Sequence, residues 1–325
     1  MDTGTHVLMG FALGGLATFD PAIANDPTLA HAVLIGTLVG SQAPDIDTVF
    51  KLKNNAKYIR NHRGMTHSIP ALFIWTLLIS VTLFYIYDTS FFHVALWTFI
   101  AVSVHVFVDI FNSYGTQALR PFSKKWVALG IINTFDPFIF IIHLAGVVLW
   151  LNGHHAGYTF LAVYVVLIGY YIIRFRQQQA IKRKLKQMFP DVEQVITVPT
   201  IKWNEWHLAV TTSNHFYVAR AQNGTITVLD IFEKCPIPDI PIIEKAKQDE
   251  NLAAFLSFSP VYRWEIHEYN DHYEVRFIDL RYRSKNYYPF VAVVQLDLDL
   301  NIVSSYTGWI FSEKKLRKKL ELIPS

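Results

Sequence analysis

Histidine and aspartate recur through the first 110 residues in a pattern that could hold a divalent cation. They are His6, then Asp45 and Asp47 in Pro44-Asp45-Ile46-Asp47, then His62 and His67 in His62-Arg63-Gly64-Met65-Thr66-His67, then His105 and Asp109. All are hard oxygen or imidazole donors, with no cysteine among them. That set suits Zn first and Mn, Fe or Mg next, as one ion or more. His105 and Asp109 stand four residues apart, so they share one face of a helix, and Asn112 extends that face. Two carboxylates two residues apart after Pro44 can face one cation together or bridge two. Arg63 adds a planar fork for a phosphate or carboxylate. Each piece alone has an ordinary reading: a helix-tying hydrogen bond, a capped turn, a basic loop against anionic headgroups. Together they favour a metal site.

These residues must be positioned by apolar segments. The chain has 325 residues, 52% of them hydrophobic and 17% charged, with a mean hydropathy of +0.25. It is too apolar for an ordinary soluble protein of this size. Long apolar runs cover residues 6–19, 29–43, 67–87, 91–111, 130–151 and 158–173. A crossing needs about 20 apolar residues, so the first two are short spans or a hairpin dipping into the bilayer. Gly10, Gly14, Gly15, Gly36 and Gly40 give those two small faces for close packing.

Basic residues fall in 51–63, 120–125 and 174–186, while the loops 20–28, 88–90 and 152–157 contain none. By the positive-inside rule both termini are cytoplasmic in a multi-pass protein of the cell membrane. The first 20 residues lack Lys and Arg, so the segment is expected to be retained rather than cleaved as a signal peptide. In this topology the histidines and aspartates meet at one depth, on the cytoplasmic side. Ionisable groups at such a depth are costly and usually functional.

The predicted fold is an α-helical membrane domain of about six apolar helices at 1–175, a basic juxtamembrane helix at 176–189, and a β-rich α+β cytosolic domain at 190–325. Alternating runs at 216–220, 225–231, 262–267, 273–280, 290–296 and 302–310 read as antiparallel strands, with Asn223-Gly224 as a hairpin turn. One helix is predicted over 242–258 and another over 313–322. The single cysteine, Cys235, excludes an intramolecular disulfide and suits a reducing compartment. The net charge of +3 argues little about nucleic acid, and residues 174–186 lack the aromatic interleaving that would support such a partner. Asp136, before Pro137, reads as a helix cap or an outlying carboxylate.

The string His6, Pro44-Asp45-Ile46-Asp47, His62-Arg63-Gly64-Met65-Thr66-His67-Ser68 and His105-Val106-Phe107-Val108-Asp109, with Asn112-Ser113-Tyr114-Gly115 and Pro121-Phe122-Ser123 after it, resembles the YdjM/YfhP-like membrane-bound metal-dependent hydrolases. The resemblance covers about residues 1–150. It implies an integral membrane protein whose metal and active-site residues are these. Some members of that family are described as associating with the regulator LexA.

The expected activity is hydrolysis at the cytoplasmic membrane face, with an amphiphilic phosphoester or lipid-linked substrate. His6, Asp45, Asp47, His62, His67, His105 and Asp109 are the candidate ligands. Asp47 is the candidate base, and Arg63 the group that stabilises developing negative charge. The contrasting expectation is a non-enzymatic membrane-anchored regulator that uses the metal structurally and presents the β-rich domain to a protein partner. A transporter is disfavoured because, beyond His93 and His143, the outer halves of the later spans hold few polar groups.

Overall fold

Aspartate, serine and proline punctuate the first half of the chain and set where its helices begin. The computed structural model describes residues 1–52, 56, 58, 59 and 63–321. Asp2 caps α1 (Thr3–Leu16), Asp26 caps α2 (Pro27–Gly40), Ser68 caps α3 (Ile69–Tyr87) and Asp136 caps α5 (Pro137–Leu151), each by a side chain accepting from a first-turn amide. Proline in the first turn of α2, α3 and α5 costs no hydrogen bond there. Between them lies α4 (Phe91–Asp109), and α6 (Ala156–Met188) closes the series.

Three of these helices, α3, α4 and α6, are long and apolar enough to cross a membrane, with 19, 19 and 33 residues. α2 and α5 are apolar but shorter, and α1 has 14 residues. Of the six expected apolar helices, α3, α4 and α6 have the length of a full crossing, and α1, α2 and α5 are shorter than one. α5 also starts seven residues later than the apolar run, because Asp136 and Pro137 fix its first turn. Apolar side chains such as Phe73, Ile74 and Leu77 on α3, and Val165, Ile168 and Ile172 on α6, are exposed. That is the arrangement expected when the surrounding solvent is lipid.

Glycine allows the closest approaches. A Cβ at Gly10 would lie 2.7 Å from Ser41 Oγ and 2.9 Å from Leu38 Cα, so α1 packs backbone-near on the end of α2. At Gly15 the missing Cβ is replaced by the ring of Phe160, which is fully buried with Met9, Ala12, Ile139 and Leu167.

The chain forms two compact units, residues 1–47, 63–180 and 199–202 in one, and 48–62, 181–198 and 203–325 in the other. The second holds two four-stranded sheets, ordered β1-β2-β3-β4 and β5-β6-β7-β8. Their strands are β1 (Gln194–Pro199), β2 (Glu205–Thr211), β3 (His215–Gln222), β4 (Thr225–Glu233), β5 (Tyr262–Glu268), β6 (His272–Asp279), β7 (Phe290–Asp297) and β8 (Ile302–Trp309). The β3–β4 hairpin turns through Asn223 and Gly224 at φ +50° and +80°, the left-handed pair a two-residue hairpin loop needs. β1 and β2 were not among the predicted strands. The helix expected over 242–258 is two, α7 (Pro241–Ala246) and α8 (Glu250–Phe258), because Asp249 caps a fresh start. The last helix is α9 (Glu313–Glu321).

The basic stretch after residue 174 continues α6 without a break. It is not polar all round: Ile181 and Leu185, one turn apart, are buried with Trp206, Leu208 and Val210. Cys235 is a free, exposed thiol beyond β4.

Candidate metal centre

Three elements bring four donors to a common point. Asp45 comes from the 3-10 stretch Ala43–Leu52 that follows α2. His67 ends the 3-10 turn Met65–His67 ahead of α3. His105 and Asp109 come from the last turns of α4. The Nε2 atoms of His67 and His105 are 3.3 Å apart. Asp45 Oδ1 lies 3.5 Å from the first and 3.6 Å from the second, and Asp109 Oδ2 lies 3.6 and 3.9 Å from them. All four atoms fall within 4.8 Å of one another. A tetrahedron with edges of this length has its centre about 2.2 Å from each corner, close to the roughly 2.0–2.2 Å of Zn–N and Zn–O bonds.

The hydrogen bonds behind the rings decide what the converging atoms carry. His105 Nδ1 is 2.6 Å from the Ser41 carbonyl, which can only accept. Nδ1 therefore holds the proton, and the neutral ring turns a bare Nε2 inward. His67 Nδ1 is 3.1 Å from Thr66 Oγ1, whose hydroxyl is committed as donor to Asp47 Oδ2 at 2.6 Å. His67 Nδ1 is thus also the protonated nitrogen. Burial lowers the His67 pKa to about 3, against the pull of Asp45, so this ring is neutral at pH 7.

Four lone-pair donors thus face one another in a buried place. Asp45 Oδ1 and Asp109 Oδ2 find no hydrogen-bond donor among the described residues. The Arg63 guanidinium beside Asp109 offsets part of the repulsion among these donors, and a cation among them would offset the rest. Two neutral imidazoles and two carboxylates balance a divalent ion in charge, and their distances fit one in size. The residues fit the group the sequence implied.

The other candidates lie around this set. Asp47 does not join it. Its Oδ2 accepts from the Arg63 amide at 3.0 Å and from Thr66, and lies 4.0 Å from His67 Nδ1, on the ring edge away from the other donors. Through Thr66, Asp47 holds the His67 ring in place. His6 Nε2 faces the other oxygen of Asp109, Oδ1, at 3.5 Å, and its ring stacks on His105 with centroids 3.8 Å apart. The Met1 amino group contacts both Asp109 Oδ1 and His6 Nε2.

Arg63 is buried, with Nε 3.2 Å from Asp109 Oδ2. Arg63 itself takes a left-handed backbone, at φ +59°, a conformation that costs a non-glycine residue about 1–2 kcal/mol. His62 lies outside the described residues. Asp136 is occupied elsewhere, capping α5 and accepting from Tyr170 Oη at 2.6 Å. His93 pairs with Asp20, and His143 bonds the Ile139 carbonyl.

Two contributors escaped the sequence. Thr66 had a signal, a hydroxyl next to a candidate ligand between two candidate motifs. Ser41 acts through its carbonyl and has no side-chain signature at all.

The comparisons with known proteins agree with this picture of a membrane protein. The YdjM inner membrane protein family matches residues 1–181, from α1 into the last third of α6. The YfhP middle domain matches residues 190–232 and the YfhP C-terminal alpha/beta plait domain residues 241–320. The chain is 62% identical over 324 residues to the uncharacterized protein YfhP of Bacillus subtilis (strain 168), covering 99% of each. No solved structure matches the chain. With the family match spanning more than half of the sequence and a relative this similar along nearly all of it, the chain belongs to the YdjM family of inner membrane proteins, in the form that carries the YfhP middle and C-terminal domains.

Proposed function

We propose that this is a multi-pass, metal-dependent hydrolase acting at the cytoplasmic membrane face, with its metal held by Asp45, His67, His105 and Asp109. The convergence of four unprotonated donor atoms supports the reading most. A divalent ion there supplies a Lewis acid and a water acidified toward pKa ~7. Of the four ligands Asp45 is the one solvent reaches, at 15% side-chain exposure, so substrate approaches from its side. Arg63, beside Asp109, is placed to stabilise negative charge developing on a phosphoester. Asp47 positions His67 through Thr66, and the base role expected of it passes to Asp45.

The depth of the site favours an amphiphilic substrate. At 1.5 Å per residue, His105 is about 6 Å from the end of α4, near the boundary where a lipid headgroup lies. By the positive-inside rule the basic residues 120–125 and 174–186 favour the cytoplasmic side for that end and for both termini, a reading in which the shorter α5 also crosses.

The first test is elemental mass spectrometry of the detergent-purified protein, followed by a phosphoester and phospholipid screen of the loaded form. About one equivalent of Zn, Mn or Fe with metal-dependent turnover is expected. Protein that stays metal-free after reconstitution would overturn the reading. The closed four-donor set also suits a structural ion in a membrane-anchored regulator. That alternative predicts stoichiometric metal, no turnover on any substrate, and loss of partner binding in ligand variants.

The chain of bonds behind His67 makes a finer prediction. Thr66→Val removes the hydroxyl linking Asp47 to His67 and leaves all four donors. Metal affinity should fall about 10–100-fold, read by competition with a chelating dye. An unchanged affinity would show that the Asp47–Thr66–His67 series does not orient the ligand.

A further inference from the structure

Asp109 is not exhausted by the four-donor centre. Its Oδ2 belongs there, facing His67 and His105. Its Oδ1 faces a different histidine, His6, whose Nε2 is 3.5 Å away. His6 and Asp109 are fully buried. The His6 ring lies on that of His105, tilted by only 18°. Two stacked imidazoles, one from α1 and one from α4, thus address different oxygens of one carboxylate.

The second oxygen already attracts positive charge. The Met1 amino nitrogen lies 3.0 Å from His6 Nε2 and in ionic contact with Asp109 Oδ1. As an ammonium the amino group donates and His6 Nε2 accepts, carrying a bare lone pair as the Nε2 atoms of His67 and His105 do. His6 Nδ1 finds no hydrogen-bond partner among the described residues. A carboxylate oxygen and an unprotonated imidazole nitrogen directed at one cationic group are the donors a metal ion would use.

We infer that Asp109 bridges two divalent ions, the second held by His6 Nε2 and Asp109 Oδ1 where the amino group now lies. This rests on reading the four-donor set as a metal centre, and deepens it. Carboxylate-bridged ions in hydrolytic sites stand about 3.5–4 Å apart and share the attacking and leaving oxygens of a phosphoryl group. The first position, with four protein donors, is closed. The second has two, so it binds its ion more weakly and keeps places for a phosphate oxygen and for water. That openness adds coordination places to the one the four-donor ion would have to gain for its water. The division of labour is a tight ion that fixes geometry and a looser one that receives the substrate.

Mn2+ tests this without reference to turnover, because it avoids thiols and two adjacent Mn2+ ions couple magnetically. The metal-free full-length protein in detergent is dialysed against rising free Mn2+, bound ions are counted by elemental mass spectrometry, and electron paramagnetic resonance is recorded at saturation. Wild type should bind two ions in two steps and give an exchange-coupled spectrum. His6→Ala and the more conservative His6→Gln should keep the tight ion and weaken the second about 100-fold, leaving the six-line spectrum of an isolated ion. One ion per chain in wild type would overturn the bridge and leave the four-donor centre standing. Two uncoupled ions, or an unchanged second step in both variants, would equally overturn it. No bound Mn2+ in a folded wild type would take away the underlying centre as well.

Discussion

His105→Ala should strip the protein of its tight metal ion. Structural zinc sites bind with about 10–16 kcal/mol spread over four ligands. One donor is therefore worth about 3 kcal/mol, roughly a hundredfold in affinity. His105 should lose at least that much. Its Nε2 touches every other donor of the set, at 3.3, 3.6 and 3.9 Å, and its ring supports His6. Its removal also leaves Asp45 and Asp109 facing each other with less between them, so some loss of stability should accompany the loss of metal. The control is His143→Ala, which removes another buried membrane histidine, one that bonds only to its own helix among the described residues. Elemental analysis should show the ion gone from the first variant and retained in the second. Equal metal content in both, with both monodisperse by size-exclusion chromatography, would remove His105 from the ligand set.

The second large effect is expected in the other compact unit, at Glu274. This side chain is fully buried in β6 yet charged. It accepts from Arg276 Nε at 2.5 Å and Gln295 Nε2 at 3.0 Å, and also pairs with Arg317. The two arginines share Glu313 as well. Glu274→Gln leaves two guanidinium groups with a single carboxylate, and breaking a buried pair this way costs about 3 kcal/mol. In thermal unfolding of the full-length protein that is a drop of about 10 °C.

The pH dependence follows from the same contacts. Burial alone would raise the Glu274 pKa, but the arginine partners outweigh it and lower it in the folded chain. The unfolded chain then binds the proton first as pH falls. The pair's stabilisation is complete above the ordinary glutamate value of about 4.3 and is lost as pH drops through the lower folded value. The melting difference between wild type and Glu274→Gln should be full at pH 7 and shrink below about pH 4. Superimposable melts at pH 7 would show that the cluster is screened and carries no stability.

Much of the site was legible because its spacing is helical. His105 and Asp109 lie on one face for any α-helix, and the structure places them so. The two aspartates after Pro44 show where such reasoning stops. In a 3-10 stretch, with three residues per turn, positions two apart point about 240° from each other. Asp45 enters the cluster, and Asp47 turns to the Arg63 amide and Thr66. An extended turn would have put both on one side, and the sequence does not distinguish the two backbones.

His6 was placed near the cluster by its depth in the apolar run, but which Asp109 oxygen it meets depends on how closely α1 packs, which Gly10 governs. In the second half, β3 to β8 announced themselves by alternation and by Asn223-Gly224. β1 did not, because Gln194–Pro199 is a short run of mixed polarity ending in proline. The break between α7 and α8 turned on a single cap, Asp249, inside a run that otherwise reads as one helix.

The lone thiol gives this protein a built-in address. Cys235 is exposed and is the single cysteine in the chain. A maleimide that cannot cross bilayers has one place to react, and in sealed vesicles it can do so from one side alone. Sidedness can therefore be read from the unaltered chain, without introducing a reporter residue into a membrane domain whose glycine contacts leave little room for one.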